Sequence, residues 1–160
     1  KTIYHKVTAL GMNAVGISSK SKKVNNIRVK SIKSLYYELP KSDFLVITLP
    51  KNESTNKLIG NEEINIMTKG SYIINVGRGN ALDLDAVYNA LVNEHLSGVG
   101  LDVTEPEPLP VDHPLWTLPN VLITPHIAGE SPHSTDMIYK LIRTNLNNYL
   151  TGKKLKYEIN

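Results

Sequence analysis

Cysteine is absent from the 160-residue chain, which removes disulfides, thiolate metal sites and cysteine nucleophiles together. Long apolar runs are missing too, since no stretch approaches the roughly 18 uninterrupted apolar residues of a membrane helix. The opening residues, KTIYHKVTAL, lack the succession of charge, apolar run and cleavage site that marks a secretory leader. A cytoplasmic setting with no membrane partner is therefore expected. Charge of one sign is scarce overall, and a net +3 is too small to point to nucleic acid by itself. The excess is local: Lys20, Lys22, Lys23, Arg28, Lys30 and Lys33 crowd one early stretch. No aromatic residue between Lys20 and Lys33 is available to stack on bases, so no nucleic-acid partner is expected. What remains, 41% hydrophobic and 21% charged, is the balance of one soluble globular domain. Its chemistry must come from histidine, carboxylates, arginine or a cofactor.

Apolar positions Ile3, Val7 and Leu10 recur at helical spacing and stop at Gly11, after which Ala14 to Ile17 read as a short buried strand. The spacing predicts a helical turn over Leu35 to Leu39, ended by Pro40, and a strand covered on both faces over Phe44 to Leu49, closed by Pro50. A short helix over Asn61 to Met67, a buried strand over Ser71 to Val76 and a helix capped by Asp83 and running to about Asn93 follow. Gly98 to Val103 and Val121 to Thr124 are further strands. Ser131 and Pro132 form an N-cap and first-turn pair for a helix whose apolar stripe is Ile138, Leu141, Ile142, Leu146 and Tyr149. Strands and helices alternating at this interval predict an α/β doubly wound parallel sheet, in which ligands sit beyond the carboxyl ends of the strands.

The residues with chemistry to offer lie just after those strands. In Asn75-Val76-Gly77-Arg78-Gly79-Asn80 an arginine stands between two glycines, so its backbone can approach a ligand while a planar fork of donors reaches for a carboxylate. His126 follows a strand within Thr124-Pro125-His126-Ile127-Ala128-Gly129 and can shuttle a proton near neutral pH. The stretch Leu101 to Pro108 offers Asp102, Glu105 and Glu107 at a neighbouring strand end, and any one of them bonded to His126 would fix its tautomer. Each signal has a bland counterpart in a surface arginine, a structural histidine or a solvated acidic loop. Their meeting at one edge of one sheet is harder to dismiss.

The motifs Ser42-Asp43-Phe44 through Leu49-Pro50, Ile73-Asn75-Gly77-Arg78-Gly79, Gly100-Leu101-Asp102-Val103 with Glu107-Pro108, His113-Pro114-Leu115-Trp116, and Pro125 to Gly129 occur in this order. Over essentially the whole chain the series closely resembles the D-isomer-specific 2-hydroxyacid dehydrogenases, the group that includes phosphoglycerate, glycerate and D-lactate dehydrogenases. The resemblance implies a Rossmann-like domain binding NAD(P), and an enzyme interconverting a 2-keto acid and a D-2-hydroxy acid. It implies Arg78 as the contact to the substrate carboxylate, His126 as the acid/base and Glu107, which directly precedes Pro108, as its partner. Asp102 matches the residue at the nicotinamide side, and Leu49, Pro50, Val76, Gly77 and Gly129 match positions lining the cofactor cleft. A homodimer is implied as well.

Two departures stand out. Lys1 falls where the residue after the family's glycine-rich G-x-G-x-x-G fingerprint belongs, so the first strand, that phosphate-binding turn and the substrate-binding domain are expected to be absent from residues 1 to 160. The acidic residue that usually ends the next strand and bonds the ribose is replaced by Ser18, with Lys20, Lys22 and Lys23 nearby. A hydroxyl and lysines accept a 2′-phosphate that a carboxylate would repel, so NADP is the expected preference. The rival expectation is a non-catalytic NAD(P)-sensing or corepressor-like protein on the same fold.

Overall fold

A computed structural model describes residues 1–158. The chain forms two compact units, Lys1–His126 and Ile127–Asn160. The larger unit begins with α1 (Thr2–Ala9), followed by β1 (Gly16–Ser18), β2 (Lys22–Val24) and β3 (Ile27–Ser31). A short helix α2 (Leu35–Glu38) leads to β4 (Phe44–Ile47), α3 (Asn61–Asn65), β5 (Ser71–Asn75), α4 (Leu84–Val92), β6 (Leu96–Leu101) and β7 (Val121–Ile123). The fold is α/β and Rossmann-like, with a four-stranded sheet in the order β4-β5-β6-β7 and every pairing parallel. A second sheet has the order β1-β3-β2, β1 parallel and β2 antiparallel to β3. Among the described residues, β1 pairs only with β3 and β4 only with β5, so each sheet ends on an unpaired edge.

The core lies on one face of the larger sheet. Ile47, Ile73, Val99 and Leu101 point into it and meet Ile64 of α3, Val87 and Leu91 of α4, and Leu115. Alternation along the strands sends Phe44, Tyr72 and Leu122 to the other face, where all three are exposed and the first two rings stack at 5.2 Å. Continuous burial of the strands around Phe44 and Ser71 is thus not observed: β5 alternates with period two, as a strand packed on one side does, and β4 runs from exposed Phe44 through half-buried Leu45 and Val46 to buried Ile47.

The early basic stretch is a hairpin rather than a loop. Ile27 points inward and Val29 is half-buried, while Arg28 and Lys30 alternate with them toward solvent, and Asn25 takes the left-handed conformation at the tip (φ 55°). The Asp83 carboxylate caps α4 as expected, accepting the amides of Asp85 at 3.1 Å and Ala86 at 3.4 Å. It also pairs with Lys57 at 2.9 Å. The bond to Lys57 is the main cause of its depressed pKa; the capping amides add to the effect and burial opposes it. In the smaller unit, helix α5 (Ser134–Leu150) starts later than the Ser131-Pro132 pair suggests. His133 occupies the cap, and Ser131 instead donates its amide to Ser134 Oγ at 3.1 Å, the two hydroxyls sharing a further bond at 2.9 Å. Among the described residues no helix is long and apolar enough to cross a membrane.

Candidate active site

The carboxyl ends of β5, β6 and β7 each give way to a turn carrying one of the residues singled out above. After β5 the chain turns sharply because Asn75, fully buried, folds its side chain over the next three residues. Its Oδ1 accepts the Gly77 amide at 3.0 Å and its Nδ2 donates to the Arg78 carbonyl at 3.0 Å. Both neighbouring glycines are needed for close approach to backbone. A Cβ on Gly77 would lie 2.6 Å from the Leu49 nitrogen, and one on Gly79 would overlap the carbonyl of Thr104. The turn bearing Arg78 is therefore seated directly against the ends of β4 and β6, so the glycines serve packing between turns.

Arg78 itself is exposed, with extended backbone (φ −139°, ψ 144°). Its guanidinium curls back rather than standing clear, Nη1 donating to the Gly77 carbonyl at 2.7 Å. Four of its five N–H donors remain outside that bond.

Thr104 follows β6 and uses its hydroxyl to hold the Pro106 carbonyl at 2.8 Å, which shapes the acidic loop. The two glutamates of that loop diverge. Glu105 pairs with Lys51 at 2.9 Å, whereas Glu107 Oε1 lies 2.6 Å from His126 Nδ1. His126 stands three residues past β7 in the left-handed conformation (φ 57°), its amide donating to the Thr124 carbonyl at 3.0 Å. A non-glycine residue held there costs on the order of 1 kcal/mol or more, and such positions gather at functional sites. With Nδ1 committed to Glu107, Nε2 is the ring nitrogen left to exchange a proton; both side chains are a little over 40% exposed.

Asp102 is buried at the end of β6, where its carboxylate accepts the Thr124 hydroxyl at 2.5 Å and its amide donates to the Asn75 carbonyl at 2.9 Å. These bonds tie the three strand ends together beneath Arg78 and His126. Leu49 and Val76 are half-buried and Gly77 is buried, while Pro50 is exposed and takes the Thr55 hydroxyl on its carbonyl at 2.8 Å. Ser18 is the last residue of β1 and donates its hydroxyl to the Lys20 carbonyl at 2.7 Å, with Lys20 exposed beside it. Gly129 belongs to the smaller unit and is exposed. Next to the Arg78 turn a cleft of about 240 Å³ is lined by Asn56, Asn80, Asp83, Glu105, Pro106 and His113.

Sequence reasoning gave no role to Asn75, Thr104 or Thr124. The signal for Asn75 was available, because a polar amide at the end of an apolar strand and two residues before glycine is a turn-forming side chain. Thr104 bonds within its own loop, to a carbonyl two residues on, whereas Thr124 carries no local signal because its partner Asp102 stands at the end of another strand.

Residues 1–128 match the family described as D-isomer specific 2-hydroxyacid dehydrogenase, NAD binding domain. The glyoxylate/hydroxypyruvate reductase B of Pectobacterium carotovorum subsp. carotovorum (strain PC1) is 50% identical over 97 residues, which are 61% of this chain and 30% of that protein. The protein of the same description from Enterobacter agglomerans is 43% identical over 122 residues, 76% of this chain and 37% of its own. Among solved structures, a D-isomer specific 2-hydroxyacid dehydrogenase of Xanthobacter autotrophicus Py2 in complex with NADPH superimposes with a TM-score of 0.86 at 29% identity. That match covers 98% of this chain and 64% of the other. A family protein of Klebsiella pneumoniae 342 gives 0.89 at 32% identity, covering 99% of this chain and 51% of its own. The chain thus spans less than two thirds of the length of each of these proteins.

Proposed function

The chain belongs to the D-isomer specific 2-hydroxyacid dehydrogenase family, matching its NAD binding domain. From that premise we propose that it is the cofactor-binding part of a longer enzyme that reduces short 2-keto acids, glyoxylate and hydroxypyruvate among them, to 2-hydroxy acids with NAD(P)H, of D configuration wherever carbon 2 becomes a stereocentre. The observation that carries the reading is the 2.6 Å contact of Glu107 with His126 Nδ1, on a histidine held at φ 57° past the carboxyl end of β7, at the same end of the sheet as the Arg78 turn after β5.

In this reading Arg78 releases the Gly77 carbonyl and binds the substrate carboxylate with two parallel donors, which fixes the keto acid by its one constant group. Glu107 holds the imidazole through Nδ1 so that Nε2 faces the reacting carbonyl oxygen and gives it a proton, worth about 10²- to 10⁴-fold in rate. Asp102, anchored by Thr124, lies between these two groups at the nicotinamide side. Bound, a nicotinamide dinucleotide supplies the hydride. Ser18, Lys20, Leu49, Pro50, Val76 and Gly77 are the residues of the larger unit that would hold it. The donor set near its ribose suits a phosphate: from Ser18 to Val24 there are three lysines and no acid. NADP is therefore the preferred cofactor, a preference also suggested by the NADPH complex of the Xanthobacter relative.

The unpaired edges of β1 and β4 support a strand entering from outside residues 1 to 160, and with it a phosphate-binding turn and a substrate domain. A homodimer in the cytoplasm completes the proposal.

The test is steady-state kinetics of the whole protein with NADPH and NADH on a panel of 2-keto acids. Turnover with at least about a tenfold higher kcat/KM for NADPH is expected, because loss of one charged contact to phosphate is worth about that factor. Cofactor binding without turnover of any keto acid would favour a sensing or corepressor-like role, and a tenfold preference for NADH would remove the assignment of Ser18 and the lysines.

A further inference from the structure

The Arg78 turn is held from beneath by a side chain with no part in the chemistry proposed above. Asn75 is wholly buried, and its carboxamide uses both hands: Oδ1 accepts from the Gly77 amide and Nδ2 donates to the Arg78 carbonyl, each at 3.0 Å. The two peptide units that bracket Gly77 and Arg78 are thereby fixed to one rigid plane. Its own carbonyl accepts the Asp102 amide at 2.9 Å, so that plane is tied to the strand from which the Glu107 loop departs. The Ala81 amide also reaches the Arg78 carbonyl, at a longer 3.3 Å. Beside this turn the Cα atoms of Gly77 and Gly79 sit against the backbones of Leu49 and Thr104, so the segment cannot slide sideways and only its rotation remains to be set.

We infer that Asn75 is the positioning residue of Arg78: its carboxamide sets the direction of the guanidinium and, through it, the affinity of the site for the substrate carboxylate. The inference rests on the reading of Arg78 as the carboxylate contact. No other residue type of similar size supplies both hands. Aspartate lacks the donor when ionised, leucine lacks both groups, and serine reaches too short a distance.

The test is kinetic, on the whole protein with glyoxylate and saturating NADPH. Asn75→Ala is expected to raise KM for glyoxylate about tenfold, the effect of one buried hydrogen bond on a charged contact. The dissociation constant for NADPH should rise by less than the KM for glyoxylate, because only the Gly77 half of the Asn75 contact borders the cofactor positions while the other half holds Arg78 itself. In a double-mutant cycle with Arg78→Ala the two losses should not add, since a residue that works only through Arg78 has nothing left to position once Arg78 is gone.

Asn75→Asp gives an independent readout. A buried carboxyl is favoured in its protonated form, and protonated it can donate to the Arg78 carbonyl as the amide did. Its kcat/KM relative to wild type at the same pH should therefore recover as pH falls. If Asn75→Ala does not yield folded protein, Asn75→Asp and Asn75→Ser carry the decision. Additive losses in the cycle, an Asn75→Asp deficit independent of pH, or a loss shared equally by cofactor binding would overturn the inference and leave the role of Arg78 standing. An Arg78→Ala variant with unchanged kinetics would remove both.

Discussion

Gly79→Ala is the substitution on which the geometry of the site makes its sharpest demand. An added Cβ would overlap the carbonyl carbon and oxygen of Thr104 and stand 2.6 Å from the Glu105 nitrogen. All three atoms are backbone, so no side chain can swing aside. To bring the Glu105 contact alone from 2.6 Å to the 3.4 Å at which ordinary contact begins, the turns after β5 and β6 must separate by most of an ångström, and Thr104 must move further. Overpacking a well-fitted interior costs about 1–3 kcal/mol. Because the strain here falls on two anchored backbones, the upper end, about 3 kcal/mol, is expected. Activity should fall beyond what the stability loss explains, since the displaced loop carries Glu107 while the other turn carries Arg78. Gly100→Ala is the matched control: its Cβ would meet only the Ile74 side chain, at 3.8 and 3.9 Å, and a glycine removed from a strand interior returns about 0.5–1 kcal/mol. Urea unfolding and kcat/KM of the whole protein decide the matter. A Gly79→Ala protein within about 0.5 kcal/mol of wild type, the usual spread of innocuous surface changes, would refute the close packing of the two turns.

Asp83→Ala should cost about 1 kcal/mol at neutral pH through loss of the cap of α4. Because the folded state holds the Asp83 carboxyl below its ordinary pKa, its stabilisation is present above the ordinary carboxylate value and lost as pH falls through the folded one. The gap between variant and wild type in denaturant should therefore close toward acid, and a gap that widened there would contradict the assignment. Residues 1 to 160 expressed alone should neither reduce a 2-keto acid nor bind NADPH tightly by calorimetry, and tight binding by a folded monomer would show that the open edges of β1 and β4 need no further strand.

Much of the fold was legible because its strands announce themselves by apolar residues and end at proline or glycine. The run from Phe44 and the run from Ser71 became β4 and β5, and Asp83 capped its helix. The hairpin of β2 and β3 was hidden because Lys22, Lys23, Arg28 and Lys30 mask the alternation of Val24, Ile27 and Val29, and composition then resembles a solvated loop. The start of α5 was misplaced for a local reason: a Ser-Pro pair is a sound helix opening, but here Ser131 bonds forward to Ser134 and the helix begins there. At the site, sequence could bring Arg78, the acidic loop and His126 to one sheet edge. From position alone it left Glu105 and Glu107 equivalent, and the choice between them depends on Lys51, which reaches across from another strand end to claim Glu105. The bond of Thr124 to Asp102 is of the same non-local kind.

The most direct measurement of the central claim is kcat of the whole protein for glyoxylate reduction, compared between wild type and His126→Gln at saturating NADPH. Glutamine keeps the size and polarity of the side chain but cannot deliver a proton, so kcat should fall by about a hundredfold or more, the usual worth of general acid catalysis. A His126→Gln protein that turns over at nearly the wild-type rate would contradict the account.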